Sequence, residues 1–195
     1  MFVTLVILMA AFAIGAPSAQ AALDPPQLGK TVNVRPVKGQ VFVNGERLTE
    51  PRQIPVGSVV DTRNGAVRLT SARGDSGATQ SGRFSQGRFR VRQSSHGLTT
   101  LRLVGSRNGF ETCSGDRTIR HLRARVHGNF RTRGRHAWAT ADGTAWVTQD
   151  TCSTTCTRVI AGSTEVYDFD RKKTVTVSAG ERYETGTGSK RWRMP

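Results

Sequence analysis

Apolar residues recur at every second position through most of the chain, the spacing of strands whose alternate side chains face opposite sides. In "SGRFSQGRFRVRQS", Phe89 and Val91 alternate with Arg88, Arg90 and Arg92, so a strand buries the two apolar side chains and leaves the arginines outside. The same alternation runs through "TTLRLV", "CTRVI", "STEVYDF" and "KTVTVSA". Asn44-Gly45, Asn64-Gly65 and Asp142-Gly143 interrupt such runs with residues that tolerate positive φ, and each predicts a hairpin. Short runs so often broken by turns predict an all-β fold: one compact domain of short strands and hairpins, sandwich or solenoid-like.

One segment departs from the two-residue period. In "RTIRHLRARVHGN", Ile119, Leu122 and Val126 recur at i, i+3 and i+7, which predicts a short basic helix over 117–127 ended by Gly128-Asn129.

The opening "MFVTLVILMAAFAIGAPSAQAALDPP" carries no charge before Asp24 and ends its apolar run in small residues, Ala19-Gln20-Ala21. This predicts a secretory signal peptide over 1–21, cleaved between Ala21 and Ala22. Uncleaved, the same stretch would serve as a membrane anchor, the one membrane contact expected. A stiff Pro-containing leader, 22–29, then precedes a β domain over 30–185 and a basic tail over 186–195. Export implies a secreted or envelope-associated protein.

In that compartment Cys113, Cys152 and Cys156 are expected to be oxidised, and three pairings are open to them. A bridge from Cys113 to Cys152 constrains the unfolded chain by about 4 kcal/mol, against about 2 for the small ring from Cys152 to Cys156. The long bridge is therefore expected, leaving Cys156 free or as an alternative partner. The cysteine and histidine spacing matches no zinc site, and no metal or cofactor is expected.

Charge concentrates in the middle of the chain. The net charge is +15, and the stretch from Arg83 to Arg135 holds 13 arginines against Glu111 and Asp116. Such density attracts polyanions through counterion release. The arginines expected to make that contact are Arg88, Arg90, Arg92, Arg120, Arg123, Arg131, Arg133 and Arg135, with an anionic envelope polymer or a protein as partner and no sequence-specific nucleic-acid recognition.

No nucleophile elbow, zinc-protease helix or phosphate-binding loop occurs, so no catalytic residue is expected. His96, His121, His127 and His136 lie in or beside the basic region, where a ribonuclease would need paired imidazoles. Asp168 and Asp170 sit in "YDFDRKK", which reads as a charged hairpin turn.

Two blocks resemble the FecR-type domain, a β-rich extracytoplasmic module. In the first, Gly39, Val41 and Val43 lead to Ile54, Gly57, Val60, Thr62, Gly65 and Leu69. In the second, Gly143, Thr144, Trp146 and Thr148 precede Val159, Gly162, Val166 and Ala179-Gly180. Together they cover about half of the chain after the leader, with the arginine-rich stretch, about 83–135, as an insert. The resemblance implies a β-rich domain for protein or envelope contact. The expected function is thus a non-catalytic, stand-alone binding or scaffold domain contacting anionic polymers or a partner through a basic face. The alternative is the sensory module of a sigma-factor-type system with a separately encoded partner, and a secreted basic hydrolase such as a ribonuclease is the third reading.

Overall fold

The computed structural model describes residues 23–105, 109–186 and 190–193, the last four through their backbone. The stretch 1–21 expected to be a signal peptide and the expected cleavage pair, Ala21 and Ala22, lie outside the described residues, as do 187–189 and 194–195 of the basic tail.

Eighteen strands are described, and the chain is all-β. The first block contains β1 (Thr31–Gly39), β2 (Phe42–Val43), β3 (Glu46–Arg47), β4 (Arg52–Pro55), β5 (Val59–Asp61) and β6 (Gly65–Ala72). The middle contributes β7 (Thr79–Ser85), β8 (Arg88–Gln93), β9 (Thr99–Leu103), β10 (Arg120–His127), β11 (Phe130–Arg133) and β12 (Ala137–Ala141). The last third adds β13 (Ala145–Asp150), β14 (Thr154–Ala161), β15 (Ser163–Asp168), β16 (Lys173–Ser178), β17 (Glu181–Gly186) and β18 (Lys190–Arg193).

They form two nine-stranded sheets. Sheet A runs β18-β17-β14-β13-β10-β7-β6-β1-β4 and sheet B runs β16-β15-β12-β11-β9-β8-β5-β2-β3. Apart from the edge strands β4 and β3, which fold back outside β1 and β2, both orders follow the chain, because successive strands and hairpins are dealt alternately to the two sheets. The result is a sandwich built as a solenoid is, by steady advance along one axis. Pairing is antiparallel throughout the described ladders except between β9 and β11, which run parallel.

The core lies between the sheets. Phe84 of sheet A packs against Phe89 and Phe130 of sheet B, each pair with ring centroids 5.6 Å apart. Phe89 and Val91 are fully buried, as their alternation predicts. A polar seam also joins the layers: Trp146 Nε1 donates to Thr132 Oγ1 at 2.8 Å, Thr132 and Thr148 share a hydroxyl bond at 2.6 Å, and Ser71 meets Thr99 at 2.8 Å. Because an unpaired polar group here would lose its full hydration, each of these pairs fixes how the sheets face one another.

The helix expected over 117–127 is a strand. Leu122, Ala124 and Val126 alternate inward with Arg123 and Arg125 outward, and β10 pairs with β7 and β13. The i, i+3, i+7 stripe skipped Ala124, whose burial completes a two-residue period. A strand also gives this segment ladder partners, β13 along Arg120 to Arg125 and β7 along Arg123 to His127, whereas an isolated short helix is marginal in water.

Turn chemistry is right in place and only partly right in topology. Asn44 and Gly45, at φ of 51° and 95°, close the β2–β3 hairpin as expected. Asn64-Gly65 and Asp142-Gly143 instead carry the chain from sheet B to sheet A, from β5 to β6 and from β12 to β13. Gly65 is required there by close approach, since a Cβ would lie 2.5 Å from the Gln40 carbonyl oxygen. The arginine-rich stretch is no appendage to the domain: it supplies the central strands β8 to β11 and part of β7, paired on both sides.

Candidate functional site: two arginine faces

Alternation leaves the outer face of each sheet to the polar residues, and the register decides what they meet. On sheet A, Arg35 of β1 stands opposite Arg68 of β6, Arg68 opposite Arg83 of β7, and Arg83 opposite Arg125 of β10. Four exposed arginines thus form one row across four neighbouring strands. One pleat further along, Arg123 faces Val147 of β13, Val147 faces Arg158 of β14, and Arg158 faces Arg182 of β17. Among the described residues, Arg35, Arg68, Arg83, Arg123, Arg125 and Arg158 make no ion pair. Glu184, at the far end on β17, is the carboxylate these strands turn outward, and Thr154 Oγ1 donates to it at 2.8 Å.

Sheet B carries a shorter row, Arg90 of β8 opposite the exposed Arg102 of β9 and Arg102 opposite Arg133 of β11, but most of its arginines have local partners. Arg88 stands opposite Asp61 of β5, Arg90 donates to the Gly57 carbonyl at 2.8 Å, and a guanidinium nitrogen of Arg92 lies over Gly57. Arg131 stacks over Trp138 with its guanidinium carbon 4.3 Å from the ring centroid, and Arg133 lies 5.1 Å from Phe169. Trp138 in turn stacks on Tyr167 at 4.7 Å. Burial, and then the charge of Arg133, hold Arg131 below the usual guanidinium range. This aromatic–guanidinium cluster covers one patch of the outer face of sheet B, over β11, β12 and β15, each stacked cation contributing about 0.5–1 kcal/mol.

The eight arginines expected to share a surface are therefore divided. Arg88, Arg90, Arg92, Arg131 and Arg133 lie on sheet B, and Arg123 lies on sheet A. Arg120 and Arg135 sit at the end of the sandwich, each 4.8 Å from the Phe110 ring. Arg120 is taken up by the fully buried Asp150, which also accepts from the Arg135 backbone N–H and the Thr155 hydroxyl. Sequence reasoning missed all four arginines of the row, Arg83 and Arg125 inside the dense stretch and Arg35 and Arg68 outside it, and also Arg158 and Arg182. Arg68 and Arg158 lie in the alternating runs "VRL" and "TRVI", and that local signature could have found them.

Cys113 and Cys152 form the disulfide expected from loop length, tying the segment before β10 to the β13–β14 turn. The bridge points to an oxidising environment, and no helix of the described residues is long and apolar enough to cross a membrane. Cys156 remains a free thiol on the outer face of sheet A, opposite Glu184. Burial, with Glu184 adding to it, pushes its pKa up to about 11.

The four histidines do not assemble. His121 and His127 lie two pleats or more apart along β10, His96 sits in the β8–β9 turn, and His136 bonds Asp170 at 3.1 Å beside the β15–β16 hairpin. Burial lowers the His121 imidazole below its ordinary value, so it adds no charge to sheet A at neutral pH. Asp168 is a structural carboxylate, fully buried, which accepts from the Tyr183 hydroxyl and from the backbone of Asp170 and Arg171. Among the described residues no group of three or more His, Cys, Asp or Glu could hold a metal ion.

No protein-family model matches this chain, and neither a curated protein nor a solved structure matches it.

Proposed function

We propose that this protein is a non-catalytic, exported binding domain that holds an anionic polymer on the outer face of sheet A. The observation that carries the reading is the in-register row Arg35–Arg68–Arg83–Arg125. Like charges directly opposite one another destabilise a sheet, so a row of four without interleaved acids opposes folding and calls for a reason outside it. An anion laid along the row removes that repulsion, and each guanidinium offers a planar fork of donors suited to carboxylate, sulfate or phosphate oxygens.

Export is supported by the disulfide and by the apolar N-terminal stretch, and envelope contact by the resemblance to the FecR-type domain. The reading belongs to sheet A because its row runs over four strands, whereas the sheet B row Arg90–Arg102–Arg133 is held at both ends, Arg90 by the Gly57 carbonyl and Arg133 by the Phe169 and Trp138 rings.

The test is retention on heparin under rising salt for the parent protein and two variants of equal charge. One carries Arg35, Arg68, Arg83 and Arg125 changed to Gln, the other Arg88, Arg92, Arg102 and Arg133 changed to Gln. The sheet A variant is expected to elute far earlier, with a salt dependence lowered by roughly one ion per arginine removed. Equal loss in both would reduce the interaction to net charge and defeat the proposal.

A further inference from the structure

The cationic track is longer than its four-arginine row. Stepping one pleat from Arg125 to Arg123, it continues over Val147 to Arg158 and Arg182, from β1 to β17. Those strands are seven neighbours in sheet A, so the track spans roughly 29 Å at about 4.8 Å per strand. At its far end lies a hollow of about 290 Å³ lined by Val147, Gln149, Cys156, Arg158 and Arg182. Val147 lines it with an apolar side chain, a neutral amide and two guanidinium groups border it, and the Glu184 carboxylate stands opposite Cys156 at its edge, where a hydroxyl rather than an acidic group of the sugar fits.

Two features of this face discriminate among anionic polymers. The strands β1, β6, β7, β10, β13, β14 and β17 turn their phenylalanine, tryptophan and tyrosine side chains, Phe84, Trp146 and Tyr183, into the core. From Arg35 to Arg158 a single-stranded nucleic acid would therefore find phosphate contacts and no such ring on which to stack its bases, which is where much of its affinity arises; Trp192 of β18 stands in register with Arg182 only at the track's end. The step between neighbouring arginines, about 4.8 Å, is also shorter than the separation of successive phosphates along one strand, for which the ~3.4 Å rise is the axial component alone. It is close to the length of one hexopyranose unit in an extended chain. The hollow adds a place for a ring with an apolar face and hydroxyl edges, offering Val147 to the one and the Gln149 amide to the other.

We infer that the ligand is an acidic polysaccharide lying across the strands from β1 to β17, with one sugar unit seated in the hollow beside Cys156. This rests on the polymer-binding reading above and narrows it to one chemical class. Carboxylate or sulfate groups on successive units meet Arg35, Arg68, Arg83 and Arg125 in turn, while Arg158 and Arg182 hold the unit in the hollow.

The free thiol at the hollow makes the inference directly testable. Oligogalacturonates of graded length, with one carboxylate per sugar, are titrated against the full chain beside oligothymidylate of equal charge. Alkylation of Cys156 is followed by mass spectrometry at alkaline pH. Affinity is expected to rise with length and level off at about six sugar units, when the chain spans the track. Oligogalacturonate at ten times its Kd is expected to slow Cys156 alkylation about tenfold. In the double variant Arg158→Gln, Arg182→Gln the plateau falls to shorter chains and the protection disappears, while binding over Arg35 to Arg125 persists. Tighter binding of the oligothymidylate overturns the polysaccharide assignment. So does saturating binding that leaves Cys156 alkylation unchanged, with the broader proposal intact if the sheet A variant still loses retention on heparin. If neither oligosaccharide nor heparin is held by sheet A, both fall together.

Discussion

Arg68 of β6 stands directly opposite Arg83 of β7, and Arg35 of β1 flanks it on the other side, so its guanidinium group lies between two like charges with no carboxylate to pair with among the described residues. A sheet assembled for stability alone would interleave acids here, as the single β5–β8 pair does with Asp61 opposite Arg88.

Removing the central charge should therefore stabilise the protein while weakening its hold on a polyanion. Arg68→Thr, which keeps a residue suited to a strand, is expected to raise unfolding free energy by about 0.2–1 kcal/mol at low salt, and by less at high salt where repulsion is screened. Urea unfolding at two ionic strengths measures the gain, and heparin retention the accompanying loss. A destabilised variant would show that Arg68 contributes to the fold instead.

Asp150 is fully buried, and its carboxylate satisfies the Arg120 side chain, the Arg135 backbone and the Thr155 hydroxyl together. Asp150→Asn leaves the largely buried Arg120 charge without its counterion and is expected to cost about 3 kcal/mol or more. Equilibrium denaturation reads this as a lower midpoint with unchanged slope.

The Cys113–Cys152 bridge closes a separation of 39 residues. Its reduction, or Cys113→Ser with Cys152→Ser, is expected to lower stability by about 4 kcal/mol through freedom returned to the unfolded chain. Urea midpoints with and without reductant measure it, and non-reducing peptide mapping should recover the 113–152 pair with Cys156 unpaired.

Burial first, and the Glu184 carboxylate second, raise the Cys156 thiol to about 11. At neutral pH its alkylation should run roughly a hundredfold or more slower than that of an ordinary exposed thiol. The rate should climb about tenfold per pH unit until the pH approaches that value, because only the thiolate reacts. Glu184→Gln removes a charge that opposes the thiolate, so it should shift the profile to lower pH. A pH profile with a plateau near neutrality would contradict this environment.

Alternation alone determined that the chain is all-β, that Phe89 and Val91 are core, and that arginines line its outside, because a strand has one side-chain period and each residue reports its own face. Loop length alone pointed to a long bridge from Cys113 over the small Cys152–Cys156 ring, since chain entropy depends on separation along the sequence, and the tertiary structure chose Cys152 as its partner. Only the tertiary structure decided which arginines share a surface. Asn64-Gly65 and Asp142-Gly143 announce a turn without saying whether the next strand joins the same sheet, and that choice sets register. Register brought Arg35 and Arg68, distant from the dense stretch, into line with Arg83 and Arg125, sent Arg120 to Asp150, and gave Arg131 to Trp138. The β10 segment shows the same division: its residues suited a helix or a strand locally, and pairing with β7 and β13 settled it by satisfying the backbone of all three.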